Sequence, residues 1–392
     1  MSYRGPWKEV RLGEAGRWLS GGTPSTANSA YWGGDIPWIS SGRLTEFRLS
    51  HSERQLTKLG VQNGTRVVPA GTILIVVRGM SLKTEVRIGI AQRELAFGQD
   101  CKALEAGDAF VPEFLAYAMV SKHSQLLSLV DEAGHGTGRL NSDQLFAVTV
   151  PCPERSEQRK IVDVLSALDN KIAAIEKVIA TAERLMLALV ATIDVRVPVS
   201  VLARQSTASV KPGDFDSVVA HFSLPAFDAG RRPEVAVGGS IKSSKFLISE
   251  PGVLFSKLNP RIPRIWNVSE VPPEMALAST EFVVLVPENV TSSALWSALA
   301  QPEISEMLRQ MVAGTSGSHQ RIRPNELLEM QVPDVRTLDD SSTALVESLG
   351  RVCHRNRQEI LRLTCTRDEL LPLLMSGKIR VKDAEARVAE VV

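Results

Sequence analysis

From Glu154 to Ile193 the chain contains neither Pro nor Gly, and its apolar residues recur in alternating steps of four and three. They are Ile161, Leu165, Leu168, Ile172, Ile175, Ile179, Ala182, Met186, Leu189 and Ile193, and the residues between them are largely Asp, Asn, Lys, Glu, Ala and Thr. That spacing predicts one long helix with a coiled-coil seam. Roughly 40 residues at about 1.5 Å each make a rod of about 60 Å. A seam so narrow needs a second helix to cover it. Residues 341–375 supply a candidate, with Leu345, Leu349, Val352, Ile360, Leu363, Leu370 and Leu374 expected inward and Asn356 and Arg367 interrupting. Pro372 is expected to kink or end this helix, because proline has no backbone donor.

Before the first rod the pattern is mixed. Val67 to Arg78 reads as a turn into a buried strand, and Pro112 to Leu129 has helical spacing. Four of the six tryptophans precede residue 39, around Gly21-Gly22-Thr23-Pro24-Ser25 and Tyr31-Trp32-Gly33-Gly34-Asp35-Ile36-Pro37-Trp38. The plainer reading of this region is an aromatic minicore under loops; the sharper one is a surface offering aromatic and hydroxyl groups to a ligand. A Gly-rich loop, Gly134 to Arg139, leads to Val150-Pro151 and the rod. After a connector at 198–212, a second mixed module carries Lys242, Lys245, Lys257, Arg261 and Arg264 against one acid, Glu250.

The two halves repeat. Arg139 to Leu145 superposes on Arg321 to Leu327, and Val150-Pro151 on Val332-Pro333, both 182 positions on. Gly71 to Leu74 resembles Gly252 to Phe255 at a shift of 181. The expected fold is therefore α+β mixed: two globular modules, each followed by a long helix. The helices are expected to pair as an antiparallel coiled coil with pseudo-two-fold symmetry. The boundaries read as 1–152, 153–197, 198–336 and 337–380, with a tail at 381–392.

Charge and composition narrow the function. The net charge of +1 excludes a diffuse polycation, so nucleic-acid contacts must be locally concentrated. Four scattered cysteines and six histidines make no ligand pair, and no metal site is expected. No apolar run reaches the roughly 20 residues of a membrane helix, and the N-terminus lacks the apolar core of a signal peptide. A cytoplasmic location is expected. There is no P-loop, no G-x-S-x-G elbow and no credible set of nucleophile and base, so no catalytic residue is assigned. Two basic modules at a set separation suit double-stranded DNA.

Three patches resemble the specificity (S) subunits of type I restriction-modification systems. They are the 21–25 and 31–38 motifs, Val150-Pro151-Cys152-Pro153 running into Glu157-Gln158-Arg159-Lys160-Ile161, and Thr366 to Ile379. The resemblance implies two target-recognition domains that read a split DNA target, and no catalysis by this chain. It implies two methyltransferase (M) subunits and restriction/translocase (R) subunits as partners. S-adenosylmethionine, ATP and Mg2+ would serve those partners, none of them binding this chain. The second module lacks the Gly-Gly-Thr-Pro-Ser opening, and dissimilar modules imply an asymmetric target.

From chemistry and repeat position, the expected DNA contacts in the first module are Thr23, Trp38, Arg78 and Lys83. The second module adds Lys242, Lys245, Lys257, Asn259, Arg261 and Arg264. The repeated loops add His135, Thr137, Arg139, Ser316, His319 and Arg321. The rival reading is a coiled-coil scaffold without a DNA role.

Overall fold

The computed structural model describes residues 7–133, 137–311 and 321–391. The chain divides into two compact units, Met1–Asn170 with Leu363–Val392, and Lys171–Arg362. Both boundaries fall inside long helices, Arg155–Ala191 and Asp340–Met375. Each rod therefore contributes to both units.

In the first unit a five-stranded sheet runs in the order Gly16–Ser20, Cys101–Ala106, Ile73–Val76, Ile88–Ala91 and Arg48–Leu49. The central strand, Ile73–Val76, is apolar at all four positions and buried at all four, as a strand covered on both faces must be. A four-stranded sheet around Trp32–Ile39 holds the minicore of Trp38, Leu56 and Ala96, with Trp32 and Ile36 packed on it. The plainer reading of the tryptophans thus describes the core. A three-stranded sheet joins Val130–Ala133, Thr137–Leu140 and Arg78–Gly79.

The second unit pairs a four-stranded sheet, Ala203–Ser206, Phe282–Pro287, Gly252–Ser256 and Ile265–Val268, with a five-stranded one centred on Met275–Ala278. The core between them holds Phe222, Leu254, Trp266 and Phe282. The repeat reappears in how each module closes. Glu9–Arg11 pairs antiparallel with Thr149–Pro151, and Arg196–Pro198 with Gln331–Pro333, so each module's first strand seals its last.

The rods are shorter than expected at 153–197 and 337–380, and the reasons are local. Residues past Ala191 turn into the closing strand Arg196–Pro198. At the start of the second helix, Asp339 accepts from the Ser342 backbone N–H (2.7 Å) and from the Ser341 hydroxyl (2.7 Å). Those bonds hold its carboxyl below the usual range. Pro372 lies inside the last turn, and the helix stops at Met375 before Gly377, whose φ of +68° suits only glycine cheaply. The expected tail instead forms a helix, Val381–Ala389, burying Val381, Ala384 and Val388.

Along the first rod Ile161, Leu165, Leu168, Ile175, Ile179, Ala182 and Met186 are buried as the spacing predicts, Ile172 and Leu189 are half-buried, and Ile193 is buried just past the helix end. The second rod corrects the expectation. Leu345 and Val352 are exposed, and the buried line runs through Val346, Gly350 and Cys353 instead, rejoining the expected one at Ile360. Glycine, cysteine and the largely buried Arg357 carry this stretch of seam, residue types that an apolar pattern does not register. Gly350 has a clear reason to be glycine: a Cβ there would lie 1.9 Å from Ser293 Oγ on the neighbouring helix Ser292–Leu299.

Contacts between the rods are explicit within each unit. In the first, Arg367 donates to Asp169 (2.9 Å), which also accepts from the Tyr117 hydroxyl. In the second, Lys171 faces Glu359 (3.5 Å) and the Cys353 thiol lies 3.9 Å from the Ile179 carbonyl oxygen, so the two segments run in opposite directions there. Glu183 accepts from Arg357 and, at 2.6 Å, from Arg231 of the second module.

Candidate nucleic-acid interface

In the first unit the geometry gathers several residues that sequence position alone had separated. Arg139 stands directly opposite Arg78 across an antiparallel pair, with Gly138 opposite Gly79. Both arginines are exposed, and neither forms an ion pair among the described residues. Like charges facing each other across strands repel, so this placement is unfavourable until an anion neutralises it. Asp131, opposite Arg139 on the other side, offsets part of the charge. Lys83 is exposed at the end of the short turn Met80–Lys83, and Thr137 lies half-buried on the same strand as Arg139. This sheet edge thus carries three exposed cations and one hydroxyl side chain.

The Gly-Gly-Thr-Pro-Ser loop is strapped to the tryptophans rather than carrying them outward. Trp38 donates its indole N–H to the Gly22 carbonyl (3.1 Å), and Trp32 donates to that of Ser25 (3.1 Å). Gly22 is required by contact, since a Cβ would sit 1.9 Å from the Gly64 carbonyl oxygen. Thr23 is left exposed on the loop surface. Trp38 is a correction: at 4% exposure its ring belongs to the minicore and has no face for a base.

The second unit separates its basic residues into free and committed ones. Arg261 and Asn259 are exposed on the loop between Gly252–Ser256 and Ile265–Val268, where Asn259 takes the left-handed φ of +49°. Lys257 is half-buried with its ammonium 5.9 Å from the Phe246 ring, and Lys242 is exposed, donating to the Gly239 carbonyl (2.6 Å). Arg321 pairs with Glu281 (3.2 Å) and its backbone bridges to Leu258.

Two expected contacts are corrected here. Lys245 is buried at 7% exposure, its ammonium bonded to the Ser243 hydroxyl (2.6 Å) and carbonyl (3.1 Å). Burial holds its pKa below the usual lysine value. Arg264 makes a two-pronged pair with Asp228 at 2.7 and 2.9 Å, which raises its pKa and consumes its fork. His135, Ser316 and His319 lie outside the described residues. Among the described residues no group of three or more His, Cys, Asp or Glu is placed to hold a metal ion. No helix among them is long and apolar enough to cross a membrane.

Residues 5–184 match the family model for the type I restriction modification DNA specificity domain. Over part of its length the chain is similar to type I specificity subunits. It is 31% identical over 166 residues to the Escherichia coli type I restriction enzyme EcoR124I/EcoR124II specificity subunit. It is 33% identical over 171 residues to the MjaIX specificity subunit of Methanocaldococcus jannaschii. Each match covers 42% of this chain, and 41% and 38% of those relatives respectively, so about two fifths of their length is spanned. The crystal structure of a type I restriction-modification S subunit from M. genitalium has the same fold. It covers 94% of this chain and 96% of its own, at TM-score 0.57 and 14% identity.

The specificity-domain match takes in the first module and most of the first rod. One residue in it escaped the sequence reading. Arg54 lies with its guanidinium 3.7 Å from the Trp32 ring centre, exposed beside the strapped loop. Nothing in His51-Ser52-Glu53-Arg54 marks it, because only the fold brings it to the tryptophan.

Proposed function

We propose that this chain is the DNA-reading specificity subunit of a type I restriction-modification system. Its two modules each read one half of an asymmetric, split target. The observation that carries the reading is the facing pair Arg78 and Arg139, two exposed cations that form no ion pair among the described residues, inside the segment that matches the specificity-domain model. The repeat supports it, because Arg321 is bridged to Leu258 at the corresponding place in the second module. Dissimilar modules favour an asymmetric target, since identical ones would read an inverted repeat.

In this account the rods pair as an antiparallel coiled coil with approximate two-fold symmetry and act as the spacer between modules. The chain itself performs no chemistry. It places methyltransferase subunits, which use S-adenosylmethionine, and ATP-driven restriction subunits on the target. The adenine to be methylated leaves the stack within the partner enzyme.

The direct test is duplex binding as a function of salt. The chain should bind with affinity that falls steeply as salt rises, by about one logarithmic unit of slope per phosphate held. Arg78→Ala and Arg139→Ala should each weaken binding to any sequence and reduce that slope by about one. Association that ignores salt and shows no preference for duplex would favour the scaffold.

A further inference from the structure

Trp32 is held by three contacts. Its ring meets Trp38 edge to face, with centres 5.4 Å apart at 89°, and its indole N–H is bonded to the Ser25 carbonyl. The guanidinium of Arg54 lies over its face at 3.7 Å. At that distance an edge-on guanidinium would crowd its nitrogens into the ring, so the group lies flat. Arg54 is exposed, so what this corner presents to solvent is the arginine rather than the tryptophan.

The arginine is fixed at both ends. Its carbonyl accepts from the Trp38 N–H (2.9 Å), and its own N–H donates to Ser52 Oγ (3.3 Å). That hydroxyl in turn donates to the Trp38 carbonyl (2.8 Å). Trp38 thus holds the backbone while Trp32 holds the head group. The donor edge of the guanidinium stays free. The neighbouring carboxylate, Glu53, is taken by Arg43 (2.5 Å), and among the described residues the Arg54 side chain makes no ion pair or hydrogen bond. Arg264 is the opposite case, its fork closed on Asp228.

A phosphate needs only a charge near it, which a mobile lysine supplies as well. A fixed plane matters when the acceptors are themselves planar and paired, as O6 and N7 of guanine are in the major groove. Holding that plane before binding also lowers the ordering cost of making the contact. Position agrees. The strand Trp32–Ile39 leads to Ser41, whose Oγ would lie 3.6 Å from a Cβ on Gly79, the residue after Arg78. Trp38 and Ser41 are at most about 11 Å apart along the chain, about three base pairs of a duplex at roughly 3.4 Å each.

We propose that Arg54 is a base-reading residue of the first module. Its fork takes O6 and N7 of a guanine in that module's half of the target, and Trp32 sets its plane. The proposal rests on the DNA-reading function and adds to it a named base and the residue that selects it.

The experiment uses the full chain co-expressed with the methyltransferase subunit proposed as its partner. Methylated adenines are mapped for the wild type, Arg54→Ala and Arg54→Lys. The half read by the first module should contain a guanine that both variants cease to require, with every other position kept. In duplex binding by the purified complex, 7-deazaguanine at that position removes the N7 acceptor and should weaken the wild type about tenfold. The variants should be indifferent to it. Arg54→Lys should keep the wild-type salt dependence, because it loses the fork and not the charge.

An unchanged motif in Arg54→Ala, with methylation lowered equally at all sites and a lower unfolding temperature, would make Arg54 only a cover for Trp32 and overturn the proposal. An unchanged motif with the salt slope reduced by about one would make it a phosphate contact, which also overturns it. A first-module half without guanine does the same. All three outcomes leave the DNA-reading function standing. A wild-type complex that neither methylates a motif nor prefers any duplex removes that function, and the assignment of Arg54 with it.

Discussion

Glu183 sits between Arg231 and Arg357 and is the only carboxylate with which either guanidinium forms an ion pair among the described residues. Removing it leaves two cations facing each other in a largely buried place, and burial already lowers the pKa of Arg357. Glu183→Ala should therefore destabilise the second unit by about 2–3 kcal/mol, a value below the usual buried-pair cost because Arg231 stays partly exposed. Denaturant unfolding followed by Trp266 and Trp296 fluorescence reads this. Restoration by a second change, Arg231→Leu, would show that the loss came from the unpaired charge.

His221 offers a pH test at the same scale. Its Nε2 is buried without a partner, and burial, with Lys245 nearby, holds its pKa below 6.5 against the opposing pull of Glu234. The folded state thus disfavours the proton that the unfolded state accepts. The stability this protects is full above the unfolded value of about 6.5 and is lost as pH falls through it towards the folded value. His354 is shifted the same way by burial. Unfolding midpoints measured from pH 7.5 to 5 should fall for the wild type and fall less steeply for His221→Gln. Equal slopes would contradict this assignment.

Among the elements, the rods show what hydrophobic pattern can and cannot disclose. The first was legible because Ile, Leu and Met mark its seam at regular spacing. The second was located but its buried line was misread by one residue over its first half, since Gly350, Cys353 and Arg357 replace the expected apolar residues. Gly350→Ala gives a prediction with opposing terms. Helix propensity favours alanine by about 1 kcal/mol, while a Cβ 1.9 Å from Ser293 Oγ overpacks the contact at a cost of about 1–3 kcal/mol. The variant should be net destabilised, and Ser293→Gly in the same chain should restore most of the loss. Trp38, Lys245 and Arg264 were misjudged for a related reason: aromatic or basic character is visible in sequence, but burial and the partner that consumes the group are products of the fold. Arg139 was picked out by repeat position, whereas its place opposite Arg78 emerged only from the strand pairing.

For the whole molecule, the repeat unites both levels. The same closure of first strand on last strand occurs at Glu9–Arg11 and at Arg196–Pro198, although the modules between differ in sequence. A protein built this way should have separable halves of specificity. Exchange of residues 198–336 for the corresponding module of a relative should change one half of the recognised motif and leave the other intact. The most direct measurement is to co-express the chain with the methyltransferase subunit proposed as its partner and map methylated adenines across the host DNA. A single split, asymmetric motif, lost when this chain is deleted and half-altered by that exchange, is the predicted result. Methylation that persists unchanged without the chain, or a motif that ignores the exchange, would contradict the account.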